Sequence, residues 1–275
     1  MNTADIMQLA LEMAGMDSIP ADSGIFRQCD NVKRVLLGID IEKEDLLFAR
    51  DGHFDLVLAH HPLNWTTFLD VMDRHETFMI EAGVPEARAK KSCRENRAFW
   101  EGLADRPHAE QGVRELCALA EELDLGLMNI HLPCDELGRR ILQEQANELA
   151  PSGTVSALIE RYASLPEIEV AREGVSLVCG SANRELGRTV VIHAAGVNGG
   201  YPIANALFEN GVDTVVYIHL FSEEQGDRLR EENKGSLILT GHYGSDSLGI
   251  NPLVDGLERR GLEVVCRNKM VRVRR

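Results

Sequence analysis

The chain has no positive charge to spare: 29 lysines and arginines stand against 44 aspartates and glutamates, a formal net charge of −15 at pH 7. Phosphate backbones are gripped by a surplus of Lys and Arg, so this balance argues against a nucleic-acid surface. Long apolar runs are also missing, and none approaches the roughly 20 residues needed to span a bilayer. The six cysteines (Cys29, Cys93, Cys117, Cys134, Cys179 and Cys266) never fall into a Cys-x-x-Cys spacing, and the opening MNTADIMQLALEMAG lacks the layout of a signal peptide. These absences predict a reduced, cytoplasmic protein with neither a membrane nor a nucleic acid as partner. The one basic concentration, CRNKMVRVRR, reads better as an edge strand with a solvated basic end than as an anion site.

Apolar residues make up 44% of 275 positions, which is ordinary for a folded chain and enough for one large α/β domain or two smaller ones. IMQLALEMAG has helical spacing, and VKRVLLGID and FDLVLAH read as buried strands around the short helix EKEDLLFAR. A polar, helical excursion follows at about 66–110, suited to a lid or an oligomer contact. After the strand LGLMNIH and the amphipathic helix ELGRRILQEQANELA, the pattern breaks around Pro151, Gly153 and Pro166. Strands then alternate with helices again: RTVVIH, PIANALFENG, DTVVYIHL, SEEQGDRLREENKG, SLILTGHY, LVDGLERRG and a closing LEVVCRNKMVRVR. The expectation is an α/β fold of two domains, residues 1–145 with the helical insertion and residues 146–275, built on mostly parallel or mixed sheets. The turns DLVLAHHPL and SLILTGHYG look alike and suggest two related halves.

Six of the nine histidines sit at or just past the end of a strand: His60, His61, His131, His193, His219 and His242. Ligands of parallel sheets bind outside the carboxyl ends of the strands, so this placement collects imidazoles along one functional edge. Asp135 follows His131 by four residues and Asp246 follows His242 by four, which puts each pair on one face if the turn enters a helix. Mixed imidazole and carboxylate donors make a metal site of nitrogen and oxygen type. In AHHPL, Pro62 restricts the turn so that His60 and His61 can face one cleft. In HLPCD, Asp135 can bridge two ions while His131 either ligates or orients water from behind, and Cys134 reads as a core residue. His193 and His219 are weaker candidates. The glycine-rich AAGVNGG reads as a tight strand-to-helix turn before it reads as a phosphate cradle, since it matches no nucleotide fingerprint.

Taken in order, HHP, HLP-x-D and GHY-x-S-D resemble the YbgI-type, or Nif-three-like, family of dinuclear-metal proteins, which often carry the label type two GTP cyclohydrolase I. PADSGI and the stretch VKRVLLGIDIEKEDLLFARDGHFDLVLAHHPL also look like the family's first domain, so the resemblance covers most of the chain. It implies metal ligation by His60, His61, Asp135, His242 and Asp246; in a hydrolase built on that site, His131 can assist proton transfer. It further implies two divalent ions per chain (zinc, iron, manganese or nickel), two α/β domains facing across a metal-containing cleft, and a homohexamer. The implied activity is hydrolysis of a small molecule such as a nucleotide or another cyclic or amide-like substrate; the alternative is a metal-handling protein without turnover. Three departures stand out. Asp246 replaces the usual glutamate, the excursion is longer than in compact members, and YIHLFSEE replaces a threonine-glycine-acid motif, so that His219, Glu223 or Glu224 can take over part of its role.

Overall fold

A computed structural model describes all residues from Met1 to Arg275. In chain order, the first half runs α1 (Thr3–Ala14), β1 (Gly24–Arg27), β2 (Arg34–Gly38), α2 (Lys43–Asp51), β3 (Leu56–Ala59), a 3-10 turn (Trp65–Val71), α3 (Arg74–Glu81), α4 (Glu86–Glu101), α5 (Arg106–Glu122), β4 (Gly126–Asn129) and α6 (Leu132–Leu149). It continues with α7 (Val155–Ala163), α8 (Pro166–Ala171), β5 (Ser176–Cys179), β6 (Thr189–Val191), α9 (Gly200–Glu209), β7 (Thr214–Tyr217), α10 (Glu223–Glu232), β8 (Ser236–Leu239), α11 (His242–Glu258) and β9 (Glu263–Arg267). Local chemistry sets many of the helix ends. Asn2 and Asp5 form a capping box on α1, Gly15 closes that helix in the left-handed conformation, and Thr154 and Ser222 cap α7 and α10 through their hydroxyls.

The chain forms two α/β units, each with a mixed sheet. One unit comprises Met1–Val71, Ala104–Leu137 and Asp246–Arg275; the other comprises Met72–Leu103 and Gly138–Ser245. The first sheet has the order β1-β4-β3-β2-β9, parallel except for β1, and the second has the order β5-β8-β7-β6, parallel except for β5. The inner strands are buried along their whole length, as Leu56–Ala59 and Thr214–Tyr217 show, because helices cover both faces. In the first unit Leu36 and Val57 pack with Leu46, Ala49 and Ala120 of α2 and α5, while Leu37 and Leu58 meet Ile250 and Leu253 of α11.

The contacts do not follow the division at residue 145. β9 pairs in parallel register with β2, Val35 opposite Val264 and Leu37 opposite Cys266, so the closing strand belongs to the first sheet. An apolar run such as LEVVCR fits either sheet, and only pairing across more than 200 residues settles which. After β9 the chain laces along α11: Asn251 bonds the backbone of Val271 and Val273, and Arg272 pairs with Asp255 and Glu258. Arg272 is therefore a half-buried tie, while Arg274 and Arg275 remain exposed.

The excursion is also more than a detachable lid. Phe78, Met79, Ala82, Val84 and Ala89, in and around α3 and α4, join Ile203, Leu207 and Phe208 of α9 in the core of the second unit. Met79 is fully buried. Met79→Ala is expected to destabilise the protein by about 2–5 kcal/mol, the range for a buried Met truncated with a cavity left behind; urea unfolding measures this, and a loss near zero would mean that α3 is not part of the core.

Candidate metal centre

Several elements of the first unit end at one place. β3 leads into His60 and His61, whose amides donate to the carbonyls of Gly38 and Ile39 at 2.9 Å, extending the parallel ladder past the last strand residue. β4 leads into His131, whose amide donates to Ser23 Oγ at 2.9 Å. Asp135 lies in the first turn of α6, and Asp246 lies in α11 one turn after His242. The three imidazoles converge with ring centroids 5.0 Å (His60 to His131), 5.2 Å (His60 to His61) and 5.8 Å (His61 to His131) apart.

Each ring is anchored at Nδ1 by an acceptor. These are the carbonyl of Ile130 at 3.1 Å for His60, Asp40 Oδ1 at 2.7 Å for His61 and Asp22 Oδ2 at 2.7 Å for His131. An acceptor there assigns the proton to Nδ1 and leaves Nε2 of the neutral ring as a lone pair. Those lone pairs face carboxylates: His60 Nε2 is 3.3 Å from Asp135 Oδ1, His61 Nε2 is 3.4 Å from Asp246 Oδ2, and His131 Nε2 is 3.5 Å from Asp135 Oδ2. A charge-assisted hydrogen bond closes to about 2.7–2.9 Å, whereas two donors sharing a tetrahedral ion at about 2.0–2.1 Å lie about 3.3 Å apart. The His60–Asp135 separation matches the second case, and His60 Nε2 makes no hydrogen bond, whereas His61 Nε2 bonds Asp246 when its ring is protonated.

The donor sets His60, His61, His131 and His60, Asp135, Asp246 can each hold a metal ion, their donor atoms lying within 4.8 Å of one another. Asp135 and Asp246 are 3% and 2% exposed, and carboxylates so buried are paired or ligate a cation. Asp246, despite its missing methylene, reaches both His61 and His60.

His242 opens α11 with its ring tilted against that of His219, the centroids 4.6 Å apart, while Asn198 Nδ2 lies 2.9 Å from His219 Nδ1. Gly244 lets this end of α11 approach α8, since a Cβ there would come within 2.9 Å of Ile168 Cα, and Glu173 accepts the Gly244 N–H at 3.1 Å. His193 is buried beyond β6. Glu223 and Glu224 sit in the first turn of α10, exposed to solvent. Cys134 lines a small apolar cavity with Leu37, Leu58, Ile250 and Leu253, and burial pushes its thiol well above the ordinary range. In AAGVNGG, Gly200 takes a φ of +56° and Gln225 Oε1 accepts the Tyr201 N–H at 2.6 Å. One of the amides that would greet a phosphate at the start of α9, that of Tyr201, is thus already taken. Asp22 and Asp40 were not singled out from the sequence as site residues. Asp40 carried a usable signal, since it lies just past the end of β2 on the same sheet edge as the histidines.

This combination, two α/β units with a buried histidine and aspartate cluster that can hold a metal, defines the class to which the chain is compared. A NIF3 superfamily protein from Sphaerobacter thermophilus is similar over 98% of this chain and 99% of its own, with 37% identity and a TM-score of 0.88. The chain belongs to the NIF3 superfamily. Reduced HcgD from Methanocaldococcus jannaschii shares the fold at 14% identity, a TM-score of 0.60 and 97% coverage of both chains. The protein ybgI, of unknown function, shares it at 16% identity, a TM-score of 0.57 and 98% coverage of both. No family model and no curated protein matches the chain.

In the metal-free protein, burial opposes protonation of His61, but its bonds to Asp246 and Asp40 outweigh that and raise its pKa to about 10. His131 is raised as well, burial being outweighed by Asp135 and Asp22. A raised folded-state pKa stabilises most below the unfolded value near 6.5 and loses that contribution as pH climbs through the folded value. Thermal unfolding of metal-stripped protein should therefore show stability falling between about pH 6.5 and pH 10, and Asp40→Asn should flatten the fall; an unchanged slope in the variant would contradict the assignment.

Proposed function

We propose that the chain is a dinuclear metal-binding protein that works as a metal-dependent hydrolase on a nucleotide or another small cyclic or amide-like substrate. The observation that carries this reading is the set of Nδ1-anchored imidazoles whose Nε2 lone pairs face buried carboxylates at 3.3–3.5 Å. His60, His61, Asp135, His242 and Asp246 would hold the ions, zinc, iron, manganese and nickel all being compatible with such donors. Asp135 is suited to bridge, because its two oxygens address His60 and His131 separately. When bound, a pair of divalent ions brings the pKa of water toward neutrality and polarises the substrate.

The remaining chemistry belongs to the chain itself. His131 is held by Asp22 through Nδ1 and presents Nε2 beside Asp135, which suits it to take and return a proton. Asp22 and Asp40 fix tautomer and ring orientation, the role of carboxylates that back metal-binding histidines. The family resemblance favours a homohexamer acting on a small molecule, and the six cysteines, read as reduced thiols, favour a cytoplasmic setting.

Elemental analysis of the purified protein, paired with a formate-release assay on GTP, tests the reading. Two metals per chain with release of formate are expected. Two metals without turnover of GTP or of a wider nucleotide and amide panel would favour a metal-handling role. Asp135→Ala and His242→Ala should each lose bound metal by at least tenfold in affinity while keeping a native circular dichroism spectrum, and full occupancy in both would refute the ligand assignment.

A further inference from the structure

We propose that the second unit carries a binding site for an uncharged planar nitrogen heterocycle, in the groove bounded by α4, α9 and α10. The groove is open to solvent, has a volume of about 330 Å³, and is lined by Glu95, Phe99, Tyr201, Ser222, Glu224 and Gln225, among others. A volume near 300 Å³ is at the small-molecule end of ligand sites. A narrower recess joins it through the shared residues Phe99, Ser222 and Gln225, and is floored by Asn96, Trp100, Asn198 and Phe221.

Aromatic faces supply the first half of the argument. Phe221 is 65% exposed, more than any other large apolar side chain of the protein. It is held rather than loose: its ring lies 5.1 Å from that of Trp100, which meets Phe99 edge-on at 5.4 Å. One ring of this ladder is buried and one stands open beside the groove, an arrangement that a planar ligand completes by stacking.

Polar groups supply the second half. Asn96 and Asn198 are 1% and 5% exposed, and the Asn96 amide donates to the Asn198 carbonyl at 3.3 Å, which makes a rigid floor. Gln225 spends its carbonyl on the Tyr201 N–H, leaving its NH2 as a donor. Ser222 Oγ accepts the Gln225 N–H at 3.3 Å and keeps its own O–H to donate. Two donors beside aromatic faces suit ring nitrogens or carbonyls. Charge argues against a phosphate: Glu95 and Glu224 flank the groove, and Arg228 is occupied, stacked 3.7 Å over the Tyr201 ring and 3.3 Å from Glu232. The site exists because the excursion helix α4 docks on α9, and Asn198 connects it to His219 and so to His242. Ring binding itself does not depend on a metal.

The test uses the full chain carrying Trp65→Phe, which leaves Trp100 as the sole tryptophan of the two. Titration with adenosine should quench Trp100 fluorescence saturably, and adenosine 5′-monophosphate should bind several-fold more weakly. Phe221→Ala, at an exposed position, should weaken adenosine by at least about fivefold, the loss of one stacking partner, while leaving metal content unchanged. Asp135→Ala should lose metal and keep adenosine binding, so this proposal and the metal reading fail separately. Linear, non-saturating quenching would overturn the site, as would binding that ignores Phe221→Ala or disappears only in Asp135→Ala. Equal affinity for the monophosphate would overturn its uncharged character.

Discussion

Buried carboxylates set opposite imidazole lone pairs are the constraint on which the first unit is organised. Asp135 and Asp246 lie out of water beside rings whose other nitrogens are already committed to Asp22, Asp40 and the Ile130 carbonyl. Such a cluster is costly unless a cation or protons share it, and it holds together only if its parts arrive in register. The parallel ladder provides that register, because the amides of His60 and His61 continue the pairing of β3 with the β2 side of the sheet. The first turns of α6 and the early part of α11 then deliver the carboxylates, and the C-terminal segment that ties Arg272 to Asp255 and Glu258 fastens α11 along its length.

The two sheets share a plan. β1-β4-β3-β2 and β5-β8-β7-β6 each place an antiparallel edge strand beside three parallel ones, and each edge pairing carries an irregularity, at Ile25/Arg27 and at Leu177/Cys179. On this plan the counterpart of the turn after β8 is the turn after β4, not the one after β3 that it resembles by eye. The same four-residue spacing marks both, His131 to Asp135 and His242 to Asp246. The halves have diverged in use: the first unit gathers the histidine and aspartate cluster, while the second, with the excursion helices in its core, has an aromatic groove beside α9.

The excursion shows why a helical pattern alone misleads about purpose. Its polar composition over α4 reads as a solvated appendage, yet the alternation that buries Ala89, Ser92, Asn96 and Trp100 gives it one continuous inner face. Three of those positions are small or polar, so no strong apolar stripe announces the contact, and the packing of α4 on α9 tolerates them because the helices approach closely there.

Much of the molecule was legible in the residues. The α/β class followed from apolar runs spaced by helical periods, and the strand-end histidines with aspartates four residues on pointed to a candidate cluster, of which His60, His61, His131, Asp135 and Asp246 lie together in the first unit, because strand ends and helix turns are local events. The motif order was specific enough to imply the superfamily. What only tertiary structure decided was everything that depends on distant pairing. β9 joins the first sheet, Asp22 and Asp40 reach the histidine rings, Gln225 caps the glycine-rich turn, and α3 and α4 enter the second core. A single sequence records which side chains are able to make such bonds, but the partner is chosen by the path of the whole chain, and that choice is visible only once the strands are in register.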